Sequence, residues 1–162
     1  MTRLIRFTLA ALLIASAAQA AEKLTPADMT EIQMLYSRYA FAYDIGNKEM
    51  YGGVFTDDGL FKIGTDRTLR GPKEIATLIS SELRERPKIF HLTTNILIDA
   101  APEGAKGTCY VALIDLQKNP AITGGGVYED IIVKTEAGWR FQQRTYYAEP
   151  GPTTPTATPS AR

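Results

Sequence analysis

The stretch Ile89-Phe90-His91-Leu92-Thr93-Thr94-Asn95-Ile96-Leu97-Ile98 is where the apolar spacing of this chain changes from helical to alternate. A period of two is the mark of a strand. It puts Phe90, Leu92, Thr94, Ile96 and Ile98 on one face, with His91, Thr93, Asn95 and Leu97 on the other. Upstream the periods are helical. Thr25-Pro26-Ala27-Asp28 reads as a helix start, with a capping Thr, a Pro in the first turn and an acid near the positive end of the dipole. Ile32, Leu35, Tyr36, Tyr39 and Tyr43 then recur at helical spacing, and Gly46 is a plausible stop. A second short helix is expected from Lys48 to Phe55, a turn at Asp57-Asp58-Gly59, and a short strand over 60–63. A third helix opens at Gly71-Pro72 and runs to about Leu83 on Ile75, Leu78 and Ile79, with Pro87 marking its end.

Downstream the pattern is all strand. Gly107 to Gln117 reads as a long strand and Asn119 to Gly125 as a loop, with the three glycines Gly124–Gly126 taken as a turn. Gly126 to Lys134 and Trp139 to Tyr147 form a hairpin closed by Thr135-Glu136-Ala137-Gly138. That loop pairs residues whose numbers sum to 273, so Glu129 faces Arg144 and Asp130 faces Gln143. Glu129–Arg144 is then a cross-strand ion pair, or Arg144 or Asp130 positions a substrate. Helices followed by a run of antiparallel strands make the class α+β.

The two ends read differently from the middle. Residues 1–20 carry Arg3 and Arg6, an apolar stretch from Phe7 to Ala18, and the small-residue site Ala18-Gln19-Ala20, which together read as a secretory signal peptide. The apolar run falls short of the roughly 20 residues a spanning helix needs. Residues 149–162 are rich in Pro and Thr with almost nothing to bury, and are expected to be a disordered tail. The folded domain is thus expected over 21–148, in a periplasmic or secreted protein.

Composition excludes several classes. The chain has 162 residues, 18 Lys+Arg, 18 Asp+Glu, one His and one Cys. Taking Arg3 and Arg6 away with the signal leaves 16 basic against 18 acidic residues, a net charge of −2. Such a chain lacks the basic excess of a nucleic-acid binder. One His and one Cys cannot build a zinc finger or a His-rich metal centre within one chain, and no metal is expected. Cys109 lies mid-strand and reads as a buried inert thiol.

Two residues draw attention. His91 is the only histidine and sits on a polar strip of its strand, either as a general base or as a hydrogen-bonded structural side chain. Asp44 lies about 110° around the helix from the apolar stripe. Local rules make it a solvated acid turning the chain with Gly46 and Asn47; a carboxylate at the negative end of the dipole also fits a functional site.

Tyr43-Asp44, Val54-Phe55-Thr56-Asp57-Asp58-Gly59, Arg70-Gly71 before a helix, Phe90-His91-Leu92-Thr93-Thr94-Asn95, Gly126-Val127-Tyr128-Glu129-Asp130, Gly138-Trp139-Arg140-Phe141 and Arg144 together resemble the SnoaL-like branch of the nuclear transport factor 2-like superfamily. The resemblance spans Ala27 to Tyr147. It implies a cone-shaped curved antiparallel sheet wrapped around a long N-terminal helix, with two further helices and a central pocket, and a homodimer formed through the sheet. The pattern is most similar to scytalone dehydratase and hexachlorocyclohexane dehydrochlorinase. By that likeness Asp44 and His91 form a catalytic dyad that needs no cofactor, and Tyr43 and Asn95 join the substrate site; Tyr128 and Arg144 are further candidate substrate-binding residues. The substrate so implied is a small hydrophobic, cyclic molecule and the reaction a dehydration or dehydrohalogenation. The second His of the dehydratases has no counterpart, since that region reads Leu116-Gln117-Lys118-Asn119. The base of ketosteroid isomerase is also missing, its place being Phe61-Lys62-Ile63. A ligand-binding or dimeric interaction module on the same cone is the alternative reading.

Overall fold

The computed structural model describes residues 23–79, 89–116 and 121–148. The signal, the tail and the end of the third helix expected near Leu83 lie outside the described residues. Helix α1 spans Pro26–Asp44. Thr25 caps it: its hydroxyl oxygen accepts from the Asp28 backbone N–H at 3.2 Å, while the Asp28 carboxylate accepts from the Thr25 N–H at 3.0 Å. Asp28 also accepts from Lys134 Nζ at 2.7 Å and Trp139 Nε1 at 3.0 Å, which ties the helix start to the last hairpin. At the other end Gly46 turns the chain at φ +71°, a conformation that costs glycine little.

Helix α2 is Lys48–Gly52, shorter than expected, and Asn47 caps it. Strand β1 begins at once and runs Phe55–Ile63, longer than the stretch 60–63. The expected turn at Asp57–Gly59 is instead an irregularity within β1, where pairing breaks between Phe55 and Leu60. A Cβ on Gly59 would stand 2.8 Å from the Thr56 carbonyl oxygen, so only glycine permits the kink. Strand β2, Arg67–Arg70, is a short edge strand that the pattern did not announce. Helix α3 is Gly71–Ile75, continued by one 3₁₀ turn over Ala76–Leu78.

The remaining strands are β3 Ile89–Ala101, β4 Gly104–Asp115, β5 Ala121–Thr135 and β6 Gly138–Ala148. They join into one curved six-stranded sheet in the order β2-β1-β6-β5-β4-β3, with β1 and β6 parallel and every other pair antiparallel. The fold is α+β, and α1 buries Ile32, Leu35, Tyr36 and Tyr39 against the sheet's concave side. The glycines Gly124–Gly126 are not a turn. They extend β5 and pair with Leu113, Ala112 and Val111 of β4.

Two bulges reassign faces. In β3 the pairing shifts between Thr94 and Leu97, and Asn95 takes φ +53°. His91 and Thr93 keep the inner face, but beyond the bulge Ile96 and Ile98 replace Asn95 and Leu97 on it; Asn95 is exposed. In the last hairpin the sum of 273 holds from Thr135↔Gly138 to Ile132↔Phe141, and then an extra residue on β6 shifts the register to Ile131↔Gln143. Asp130 therefore faces Arg144, and Glu129 faces Thr145. The expected Glu129–Arg144 pair does not form.

That shift turns Arg144 from the surface into the core. Its Nε and Nη2 donate to the two oxygens of Asp130, both at 2.8 Å, and both side chains are wholly buried. Tyr36 donates a third bond to Asp130 at 2.6 Å. The guanidinium carbon lies 3.9 Å from the Phe141 ring centre, 4.1 Å from Tyr39, 4.2 Å from Tyr128 and 5.0 Å from Tyr36. Burial works against the cation, but the adjacent Asp130 charge and hydrogen bonds raise Arg144 above the ordinary guanidinium range. Nη1 meets no hydrogen-bond acceptor among the described residues, so the negative ring faces carry part of its charge.

Two stability outcomes are expected. Asp130→Ala leaves a buried cation unpaired and should cost about 3–5 kcal/mol in urea denaturation, whereas Asp130→Leu with Arg144→Met should cost much less than the two single changes together. The second concerns Asp28. Lys134 above all, then Thr25 and Trp139, hold its carboxyl well below the ordinary value of 3.8. A lowered folded-state value gives stability that is complete above pH 3.8 and drains away as the pH falls below it. Asp28→Asn should therefore lower the urea midpoint at pH 7, and the gap to wild type should narrow below pH 3.8.

Candidate functional site

Asp44 is the last residue of α1, and His91 is the third residue of edge strand β3. The end of the helix lies across the free side of that strand. One Asp44 oxygen, Oδ1, is 2.7 Å from His91 Nδ1. The same carboxylate accepts the His91 backbone N–H through both oxygens, at 3.1 and 3.0 Å. The side chains are 9% exposed for His91 and 11% for Asp44, sheltered yet reachable from solvent. Asp44 therefore does not serve as the solvated turn residue that local rules favoured.

The arrangement sets the chemistry of the ring. An ionised carboxylate can only accept, so opposite it Nδ1 is the donor, and in the neutral form of the ring Nε2 has the lone pair. The Tyr43 ring stands edge-on to the imidazole, with centroids 4.5 Å apart and planes at 63°. Backbone, carboxylate and tyrosine thus hold one rotamer of His91, leaving Nε2 as the group that can accept a proton. Tyr43 packs in turn on Tyr51, at 5.3 Å between centroids.

The other expected site residues fall elsewhere. Asn95 is exposed at the β3 bulge and off the His91 face. Tyr128 and Arg144 lie in the core, 4% and 0% exposed. Tyr128 accepts from Tyr39 at 3.3 Å, Tyr39 accepts from Tyr51 at 3.1 Å, and Arg144 holds Asp130. These residues build the support behind the site. Burial pushes the Tyr128 hydroxyl well above its usual value, in keeping with a neutral structural phenol. Cys109 is 1% exposed and burial pushes its thiol up to about 12, which leaves the inert form. Among the described residues no three His, Cys, Asp or Glu side chains converge as metal ligands would.

Pattern reading missed Tyr146. It lies on the inner face of β6, partly buried, and its hydroxyl donates to the Gly125 carbonyl at 2.9 Å. The signal was the glycine run facing it, taken for a turn when it is a strand without side chains.

The profile of the SnoaL-like domain matches residues 25–145. No curated protein matches the chain in sequence. Among solved structures, a Mycobacterium tuberculosis protein of unknown function is 25% identical, with a TM-score of 0.68, over 77% of this chain and 76% of its own. A nuclear transport factor 2-like protein with a cystatin-like fold from Novosphingobium aromaticivorans is 21% identical with a TM-score of 0.71, over 78% and 85%. Hexachlorocyclohexane dehydrochlorinase LinA-type3 from Novosphingobium barchaimii is 19% identical with a TM-score of 0.64, over 76% and 87%. The last two likenesses speak for the cone fold. The profile covers three quarters of the sequence and agrees with the six-stranded cone, and this chain belongs to the SnoaL-like domain family.

Proposed function

We propose that the chain is a cofactor-independent lyase of the dehydratase or dehydrohalogenase type that acts on a small hydrophobic, cyclic substrate. The observation that carries this reading is the 2.7 Å contact between Asp44 and the His91 ring, at a partly open end of the cone. The likeness to a dehydrochlorinase supports it. His91 Nε2 takes a proton from the carbon next to the leaving group. The C–H electron pair becomes the new double bond as the leaving group departs with its own pair. Asp44 stabilises the imidazolium that forms. When the leaving group is a hydroxyl, the imidazolium returns its proton and water is released.

The second proposal concerns assembly and place. Phe90, Leu92 and Tyr110 stand on the convex face, 41%, 49% and 55% exposed, and the strand register brings Ile114 and Ala112 beside the first two. A sheet face of this character is normally covered. A second copy of the chain, packed face to face, would cover it. The signal-like residues 1–20 support work in the periplasm or outside the cell.

His91→Ala should reduce turnover of hydroxylated or halogenated ring compounds about 10²- to 10⁴-fold. Asp44→Asn should lose nearly as much with the fold intact, because an amide can donate to Nδ1 and trap the wrong tautomer. Equal rates in wild type and His91→Ala, or no turnover across the panel, would leave the non-catalytic ligand-binding module as the function. Sedimentation should show a dimer for wild type and a monomer for Leu92→Glu with Tyr110→Glu; a wild-type monomer at micromolar concentration removes the dimer.

A further inference from the structure

We infer that Tyr146 forms the far wall of a slot in front of His91 that selects a flat ring. The strand register lays out the floor. His91 pairs with Leu113, which pairs with Gly124; one row on, Thr93 pairs with Val111, which pairs with Gly126. These residues share the concave face. From β3 to β5 is two strand spacings, about 10 Å, enough for one ring lying across the half-buried Leu113, while Val111 one row on is closed into the core.

The glycine strand makes the wall. A Cβ on Gly126 would overlap the Tyr147 carbonyl oxygen and stand 2.8 Å from Tyr146 Cε2. The Tyr146 ring therefore occupies the room of the missing side chain. Its hydroxyl is bonded to Gly125 at 2.9 Å, so the ring leans from β6 across β5, toward the histidine strand. Tyr128 backs it, with ring centroids 5.4 Å apart. Among the described residues, a Cβ at Gly124 would meet only Leu113 Cδ1, at 3.5 Å.

The slot deepens the lyase reading by naming the shape of its substrate, and its catalytic meaning rests on that reading. Elimination turns two sp³ ring carbons into sp² and flattens the ring. A wall that prefers a flat face holds the transition state better than the puckered substrate. The class implied is a cyclic alcohol or halide whose elimination gives a conjugated planar ring.

The test uses a matched pair of probes, 4-methylphenol and 4-methylcyclohexanol, titrated into the full-length protein by ligand-observed NMR. Wild type should bind the flat probe more tightly. Tyr146→Leu should weaken it about three- to tenfold, the size of one aromatic contact, and leave the puckered probe unchanged. Tyr146→Phe, which keeps the ring, should retain the preference. Unchanged binding in Tyr146→Leu, an equal loss for both probes, or no preference in wild type overturns the slot. The two readings separate cleanly. A preference abolished by Tyr146→Leu in a protein that turns nothing over removes the lyase and keeps the slot. Turnover lost in His91→Ala but untouched in Tyr146→Leu does the reverse.

Discussion

The structure depends on one buried charge. A guanidinium taken from water costs several kcal/mol unless it is paired and its hydrogens are met. Arg144 therefore demands a carboxylate directly across the ladder, and Asp130 supplies it in two parallel bonds. Asp130 in turn recruits the Tyr36 hydroxyl, which fixes how α1 sits in the cone. Gly107 has no side chain because a Cβ there would overlap that hydroxyl. Four rings close around the cation, and all four belong to the core between helix and sheet. A one-residue slip would turn the core face of the strand outward and break both parallel bonds, so the bidentate pair adds to the apolar pattern in fixing register. The pair thus helps set the register of the last hairpin and the depth of the first helix together.

The functional end is built on different terms. Asp44 closes α1 and His91 opens β3, so the pair sits where two elements end rather than in their middle. It is joined to the rigid cage through rings: His91 on Tyr43, Tyr43 on Tyr51, and Tyr51 on Tyr39. The cage holds position, and the Asp44–His91 pair stands at the more exposed end. Such a division suits a site that must keep its geometry while admitting a ligand.

Much of the fold was legible from periodicity. The capped first helix, its Gly46 stop, the shift to alternation at Ile89 and the final hairpin all follow from local pattern. Two of the errors share one cause. A bulge adds one residue and moves every later side chain to the other face. Asn95 and Gln142 offer no local sign of this, so Asn95 was placed beside His91, and Arg144 beside Glu129. Gly124–Gly126 reads as a turn by composition, and only the partners across the sheet show why a strand there needs glycine. Asp44 and His91 are 47 positions apart, and local rules alone left each with an ordinary role. Their meeting was legible only through the family likeness, because a long-range contact leaves no trace in local spacing.

The Asp44 carboxylate has a further consequence beyond its histidine. Strand β3 is the outermost strand of the sheet, and its outward N–H groups are a template onto which another chain can zip. Asp44 occupies one of these, that of His91, with both oxygens. A negative charge at that point also repels an incoming strand's carbonyls. The residue that arms the imidazole is therefore also a gatekeeper against runaway strand addition. The same two oxygens thus hold the histidine and close off the strand edge, so replacing Asp44 would disturb both at once.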